Sequence, residues 1–94
     1  MDKKEAKQIL QKELLALRDR PYSDLLVMAS QEPFTNERIG QSGKSYQIQI
    51  QVFPDDKTSG NLRVMGSIDD GGLRAFFPIS DDFIKNPLNE FIGE

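Results

Sequence analysis

The chain has 94 residues, of which 37% are hydrophobic and 29% charged, with a mean hydropathy of −0.52 and a formal net charge of −3. This length suits one domain (1–94), and six Phe and two Tyr supply core material, which excludes pervasive disorder. The absence of Cys and His removes disulfides, thiolate zinc sites, the commonest general base and Ser–His or Cys–His nucleophiles.

Asp2-Lys-Lys-Glu5 reads as a capping box, with Asp2 accepting from the first free N–H groups and Glu5 reaching back. Ala6, Ile9, Leu10, Leu14 and Leu17 recur at helical spacing, which predicts an amphipathic helix over 2–18 with Lys3, Lys4, Lys7 and Lys12 on its wet side. Pro21 disfavours helical geometry at Arg20 and suits the first position of a new helix. Tyr22, Leu25, Leu26 and Ala29 share a face, so a second, short helix is expected over 21–29.

The period then changes. Tyr46, Ile48, Ile50 and Val52 alternate with Gln47, Gln49 and Gln51, the pattern of a half-buried strand. Leu62, Val64, Gly66 and Ile68 alternate with Arg63, Met65 and Ser67, and Leu73, Ala75, Phe77 and Ile79 with Arg74, Phe76 and Pro78. Thr35 to Ile39 is a further edge strand, turned at Ser42-Gly43. Asp70-Gly71 is a two-residue hairpin signal, because a type I′ turn needs positive φ at both positions. It predicts a hairpin over 62–79 with Ile68 opposite Leu73, Gly66 opposite Ala75, Val64 opposite Phe77 and Leu62 opposite Ile79. Ser80-Asp81-Asp82-Phe83 reads as the N-cap and first turn of a short helix, and Phe91 and Ile92 as a docked tail. The expected fold is α+β: two N-terminal helices packed on one face of a three- to four-stranded antiparallel meander, with a short C-terminal helical turn.

That register names an outward face. Gln47, Ser67 and Arg74 form one row, Gln49, Met65 and Phe76 a second, and Gln51, Arg63 and Pro78 a third. An exposed Phe beside a Met, rimmed by Gln and Arg, has the composition of a protein interface. Gln49, Gln51, Arg63, Met65, Arg74 and Phe76 are therefore the candidate partner surface.

The pairs Asp55-Asp56, Asp69-Asp70 and Asp81-Asp82 raise a second possibility. In a meander, the 54–60 loop and the 80–82 turn lie at the same end of the sheet, where four carboxylates are able to meet around Ca²⁺ or Mg²⁺. No EF-hand spacing is present, and Asp is also the ordinary residue of turns and caps. Exposed turns are poor places to separate two carboxyl pKa values, so no catalytic residue, metal ligand or cofactor site is assigned.

Residues 1–20 carry net +2 and residues 21–94 net −5. An acidic body opposes phosphate-backbone binding, and the Ser80-Asp81-Asp82 segment is the opposite of the basic helix a double-stranded-RNA-binding domain requires. No apolar run reaches membrane-spanning length, and the basic N-terminus lacks the apolar run of a signal peptide, so a cytoplasmic location is expected.

The run from Val64 to Pro78, with its Gly-Ser-Ile-Asp-Asp-Gly-Gly core, together with the ending Phe91-Ile-Gly-Glu94, resembles a group of short bacterial hypothetical proteins that have no assigned activity. The resemblance implies a bacterial, stand-alone protein and transfers no functional residue. The expected function is a non-enzymatic protein-interaction module whose partner is another protein, with a homodimer as one form of it. The alternatives are an acidic, immunity-type inhibitor of a basic partner and a divalent-cation binder.

Overall fold

The computed structural model of the chain describes residues 2–71 and 78–94. Helices α1 (Lys3–Arg18) and α2 (Tyr22–Ala29) precede strands β1 (Phe34–Ile39), β2 (Ser45–Pro54), β3 (Leu62–Asp69) and β4 (Ile79–Lys85). The strands form one antiparallel sheet in the order β1-β2-β3-β4.

Asp2 caps α1 by accepting from the Glu5 N–H at 3.0 Å. Ala6, Leu10, Leu14 and Leu17 are buried along one stripe of the helix. Pro21 stands at the N-cap position of α2, one residue before the position expected for it. A proline cannot cap with its side chain; the Tyr22 N–H instead donates to Asn89 Oδ1 at 2.7 Å, so a distant turn satisfies one free group of the helix end.

The β1–β2 hairpin closes with Gly43 at φ 87°, its N–H donating to the Gly40 carbonyl at 2.9 Å. This is the three-residue loop in which a left-handed residue completes the reversal. Along β2 and β3 the alternation holds: Tyr46, Ile48, Ile50, Val52, Leu62, Val64, Gly66 and Ile68 are buried. They share the core with the buried stripe of α1, Leu25 of α2 and Phe83 of β4. The helix comes closest at Gly66, where a Cβ would lie 2.9 Å from Leu10 Cδ1, 3.1 Å from Ile50 Cδ1 and 3.2 Å from Leu14 Cδ2.

Two expectations about the sheet are corrected. The β2–β3 register differs from the predicted one by two residues: Gln49 pairs with Ser67, and Met65 pairs with Gln51. The predicted hairpin over 62–79 is not the observed pairing. Ile79 lies opposite Ile68 instead of Leu62, and Asp81, Phe83 and Lys85 lie opposite Gly66, Val64 and Leu62. The slip is an even number of residues, so each inward position remains inward, and alternation alone cannot separate the two registers. Leu73, Ala75 and Phe77, the expected partners of β3, lie outside the described residues. Asp69 Oδ1 accepts from the Gly71 N–H at 2.8 Å, and Gly71 has φ 80°, but Asp70 lacks the positive φ that the expected type I′ turn requires.

Ser80-Asp81-Asp82-Phe83 is strand, where the first turn of a helix was expected. What favours this pairing is concentrated in three β4 side chains. Asp82 meets Arg63 of β3. Phe83 is buried and packs edge-on to Phe91, with centroids 5.9 Å apart. Lys85 is only 5% exposed, and its Nζ donates to the carbonyls of Arg18 at 2.9 Å and Arg20 at 2.7 Å, an ammonium placed at the negative end of α1.

After β4 the chain reverses in a hydrogen-bonded turn, with the Asn89 N–H donating to the Asn86 carbonyl at 3.0 Å. The tail docks as expected. Phe91 bridges to Lys85, and the Ile92 N–H donates to the Ile84 carbonyl at 3.0 Å. Arg18 lies over the Phe91 ring, 3.8 Å from its centroid, and grips both carboxylate oxygens of Glu94 at 2.6 and 2.5 Å. Because Leu10 and Leu14 fill the space above Gly66, Gly66→Val should destabilise the fold by about 1–3 kcal/mol through overpacking, despite valine's preference for strands. Urea denaturation with an unchanged slope and a lower midpoint checks it.

Candidate functional site

The sheet has one apolar and one polar surface because its side chains alternate. On the polar surface, cross-strand pairing sets Thr35, Gln49, Ser67 and Ser80 in one row and Gln51, Met65 and Asp82 in the next. Phe53, Arg63 and Ile84 make a third, and Glu37, Gln47 and Asp69 a fourth. Four predicted site residues, Gln49, Gln51, Arg63 and Met65, are thus brought together on this face. Arg74 and Phe76 lie outside the described residues. Met65 is 37% exposed, and Gln47, Gln49 and Gln51 are exposed along β2 on the same face. Its neighbours in the row are Gln51 and Asp82; Gln49 belongs to the adjoining row.

Arg63 is the best-anchored group on the face. Its Nε and Nη2 donate to Asp55 Oδ1 at 3.1 and 2.8 Å, and its Nη1 donates to Asp82 Oδ2. The Asp55 and Asp82 carboxylates push its pKa further above the ordinary guanidinium value. The carboxylates considered for a divalent cation are therefore engaged elsewhere. Asp55 and Asp82 do converge from the 54–60 loop and from β4, but the cation between them is a guanidinium. Asp56 accepts from the N–H groups of Ser59 and Thr58 and from Ser59 Oγ, contacts that hold its pKa below the usual range. Asp81 accepts from the Asp82 N–H at 2.8 Å. Among the described residues no group of three or more acidic residues is placed to hold a metal ion.

A second polar cluster sits at the opposite end of α1. Glu5 does not reach back to Asp2. Its Oε1 accepts from Ser42 Oγ at 2.7 Å and from Tyr46 Oη at 2.8 Å, and its Oε2 accepts from the Ser42 N–H at 3.2 Å. Gly40 leaves room for this carboxylate, since a Cβ there would collide with it. These bonds, Ser42 foremost, lower the Glu5 pKa, while burial and then the Glu5 contact raise that of Tyr46 to about 12. Glu5, Asp56 and Glu94 all shift downward, as carboxylates that accept hydrogen bonds do.

Two grooves flank α1 and escaped prediction because they depend on tertiary placement. One, of about 380 Å³, runs between α1 and β4 and is lined by Gln11, Leu14, Leu15, Arg18, Asp82 and Phe83. The other, of about 410 Å³, lies between α1 and β1, lined by Ile9, Lys12, Glu13, Ala16, Arg38 and Ile39, with Arg38 Nε paired to Glu13 Oε1 at 2.5 Å. The apolar ends of the β1 segment, Phe34 and Ile39, were the available sequence signal; they are 39% and 71% exposed. No helix among the described residues is long and apolar enough to cross a membrane.

The Tyr46–Glu5 contact has a pH signature. Tyr46 is favoured as the neutral phenol in the folded state, so its contribution is complete below the ordinary tyrosine value of 10.0 and is lost as pH rises towards about 12. Glu5 is favoured as the carboxylate, so its contribution is present above 4.5 and is lost as pH falls through its lower folded-state value. Tyr46→Phe should flatten the alkaline limb of the melting temperature against pH and leave most of the acid limb, since Ser42 still binds Glu5. Thermal melts of both proteins across the two limbs check it.

No protein-family model matches the chain, and no curated protein or solved structure is similar to it.

Proposed function

We propose that the chain is a small, non-enzymatic protein-binding module whose partner, another protein, docks on the polar surface of the four-stranded sheet while both helices cover the opposite face. The observation that carries the reading is exposed Met65, a polarizable apolar side chain standing between Gln51 and Asp82, with Gln49 in the adjoining row. Arg63, immobilised by Asp55 and Asp82, gives that surface a fixed rim. The helices leave the face clear in this arrangement, because their buried residues share a core with the inward residues of β2 and β3.

The charges on the face favour one kind of partner. Arg63 is neutralised in place, whereas Glu37 and Asp69 add negative charge at the other end of the surface. A basic partner fits, as an acidic inhibitor would require, and its complex should weaken as salt is raised.

Replacing Met65 and Gln51 together by Thr, a residue that suits strands, tests the surface. Because both positions are exposed, stability should change by no more than about 0.5 kcal/mol per site. Capture of the partner from the native host should fall at least about tenfold, a loss of roughly 1.4 kcal/mol. A well-folded double variant that captures as well as the parent removes this face from consideration.

A further inference from the structure

We propose that β1 is a self-association edge: two copies pair their β1 strands antiparallel about a twofold axis at Asn36, joining two four-stranded sheets into one. The inference is independent of the Met65 surface, since it concerns the backbone edge of β1, which contributes no residue to the Met65 row.

The edge is open. The Gly40 N–H donates to the Lys44 carbonyl across the hairpin at 2.9 Å. In an antiparallel ladder, N–H and C=O groups alternate between the two sides of a strand. Arg38, Asn36 and Phe34 therefore direct theirs towards β2, and Thr35, Glu37 and Ile39 direct theirs away from the sheet. Arg38 is half-buried and the remaining β1 residues are exposed. The Glu37 carbonyl accepts from Arg38 Nη1 at 3.0 Å and keeps a second lone pair. Within β1 there is no Lys or Pro; its charged residues are Glu37 and Arg38, and Arg38 is paired with Glu13 of α1.

The sequence of the edge selects a second copy as occupant. Keeping the faces of both sheets continuous requires residues of the same face to lie opposite one another. Centring the pair on Glu37 would oppose two carboxylates, and centring it on Arg38 would oppose two guanidiniums. Centring it on Asn36 opposes amide to amide. Thr35 and the partner's Glu37 then exchange both backbone bonds. The Ile39 N–H meets the carbonyl of the partner's Pro33, a residue that has no N–H to leave unpaired. Phe34 falls opposite the partner's Arg38, at the open side of the groove between α1 and β1 that Ile9 and Ala16 make partly apolar. A ring there stacks on the guanidinium and covers an exposed phenylalanine.

Because the chain lacks cysteine, one introduced thiol reports the register. The Asn36 pair is a non-hydrogen-bonded one, whose Cα atoms lie about 4.5 Å apart, inside the disulfide range. Asn36→Cys should form a disulfide dimer under mild oxidation at least about tenfold faster than Lys57→Cys, an exposed thiol in the β2–β3 loop, because pairing raises its effective concentration. Adding Thr35→Pro removes an outward N–H without touching the β1–β2 ladder, so it should return the rate to that of Lys57→Cys with circular dichroism unchanged. Phe34→Ser in the Asn36→Cys background should slow the reaction severalfold and guards against a misfolded proline variant. Equal rates for the two thiols, or fast cross-linking insensitive to both Thr35→Pro and Phe34→Ser, would overturn the proposal. Met65 and Gln51 replacements should leave the cross-linking rate unchanged, which separates this edge from the sheet face.

Discussion

Gly66 lies mid-strand, where a side chain would ordinarily stand, and Leu10 and Leu14 of α1 occupy that space. The approach fixes the height of the helix above the sheet, and the remaining contacts follow from it. Towards the N-terminus of α1, Glu5 reaches the β1–β2 turn at Ser42 and Tyr46. Further along, Glu13 meets Arg38 of β1. At the C-terminus, Arg18 lies over Phe91, and the last carbonyls accept from Lys85. A larger residue at position 66 would lift the helix and stretch all of these contacts together.

Local pattern made much of this architecture legible. The apolar stripe from Ala6 to Leu17 defines α1, and strict alternation defines β2 and β3, because helical and strand periods bury different sets of residues. Alternation fixes which face a residue occupies, however, and not which residue stands opposite it. The β2–β3 register and the β3–β4 register both slipped by even numbers of residues. Ser80-Asp81-Asp82 imitates a helix cap in sequence; its strand identity comes from Arg63 and Arg18, both remote in the chain, and from the docked tail. Lys85 is the least legible residue of all, since a lysine is buried only where oxygen atoms converge, and here they belong to residues more than sixty positions away. For the candidate surface, parity places Gln49, Gln51, Arg63 and Met65 on one face but does not say which residues stand opposite them.

The polar groups show a division of labour. Asp2, Asp56 and Asn86 satisfy backbone N–H groups of a helix end, a loop and a turn. Glu5, Glu13, Arg18, Arg63 and Lys85 connect elements far apart in sequence. An acidic chain thereby uses many of its charges in specific pairs. On the outward face, the exposed glutamines, Met65 and the acids Glu37 and Asp69 at one end define the chemistry that the proposed partner would meet.

The contacts of α1 with both edge strands and with the middle of the sheet have a mechanical consequence. The helix is fastened near one edge of the sheet by Glu5 and Glu13, rests on its middle at Gly66, and is fastened near the other edge by Arg18. A twisted four-stranded sheet deforms most easily by changing its twist, and a stiff rod pinned at three points across it resists that deformation. The outward side chains accordingly stand on a backbone already held in shape, and a partner of the kind proposed would lose little conformational entropy there.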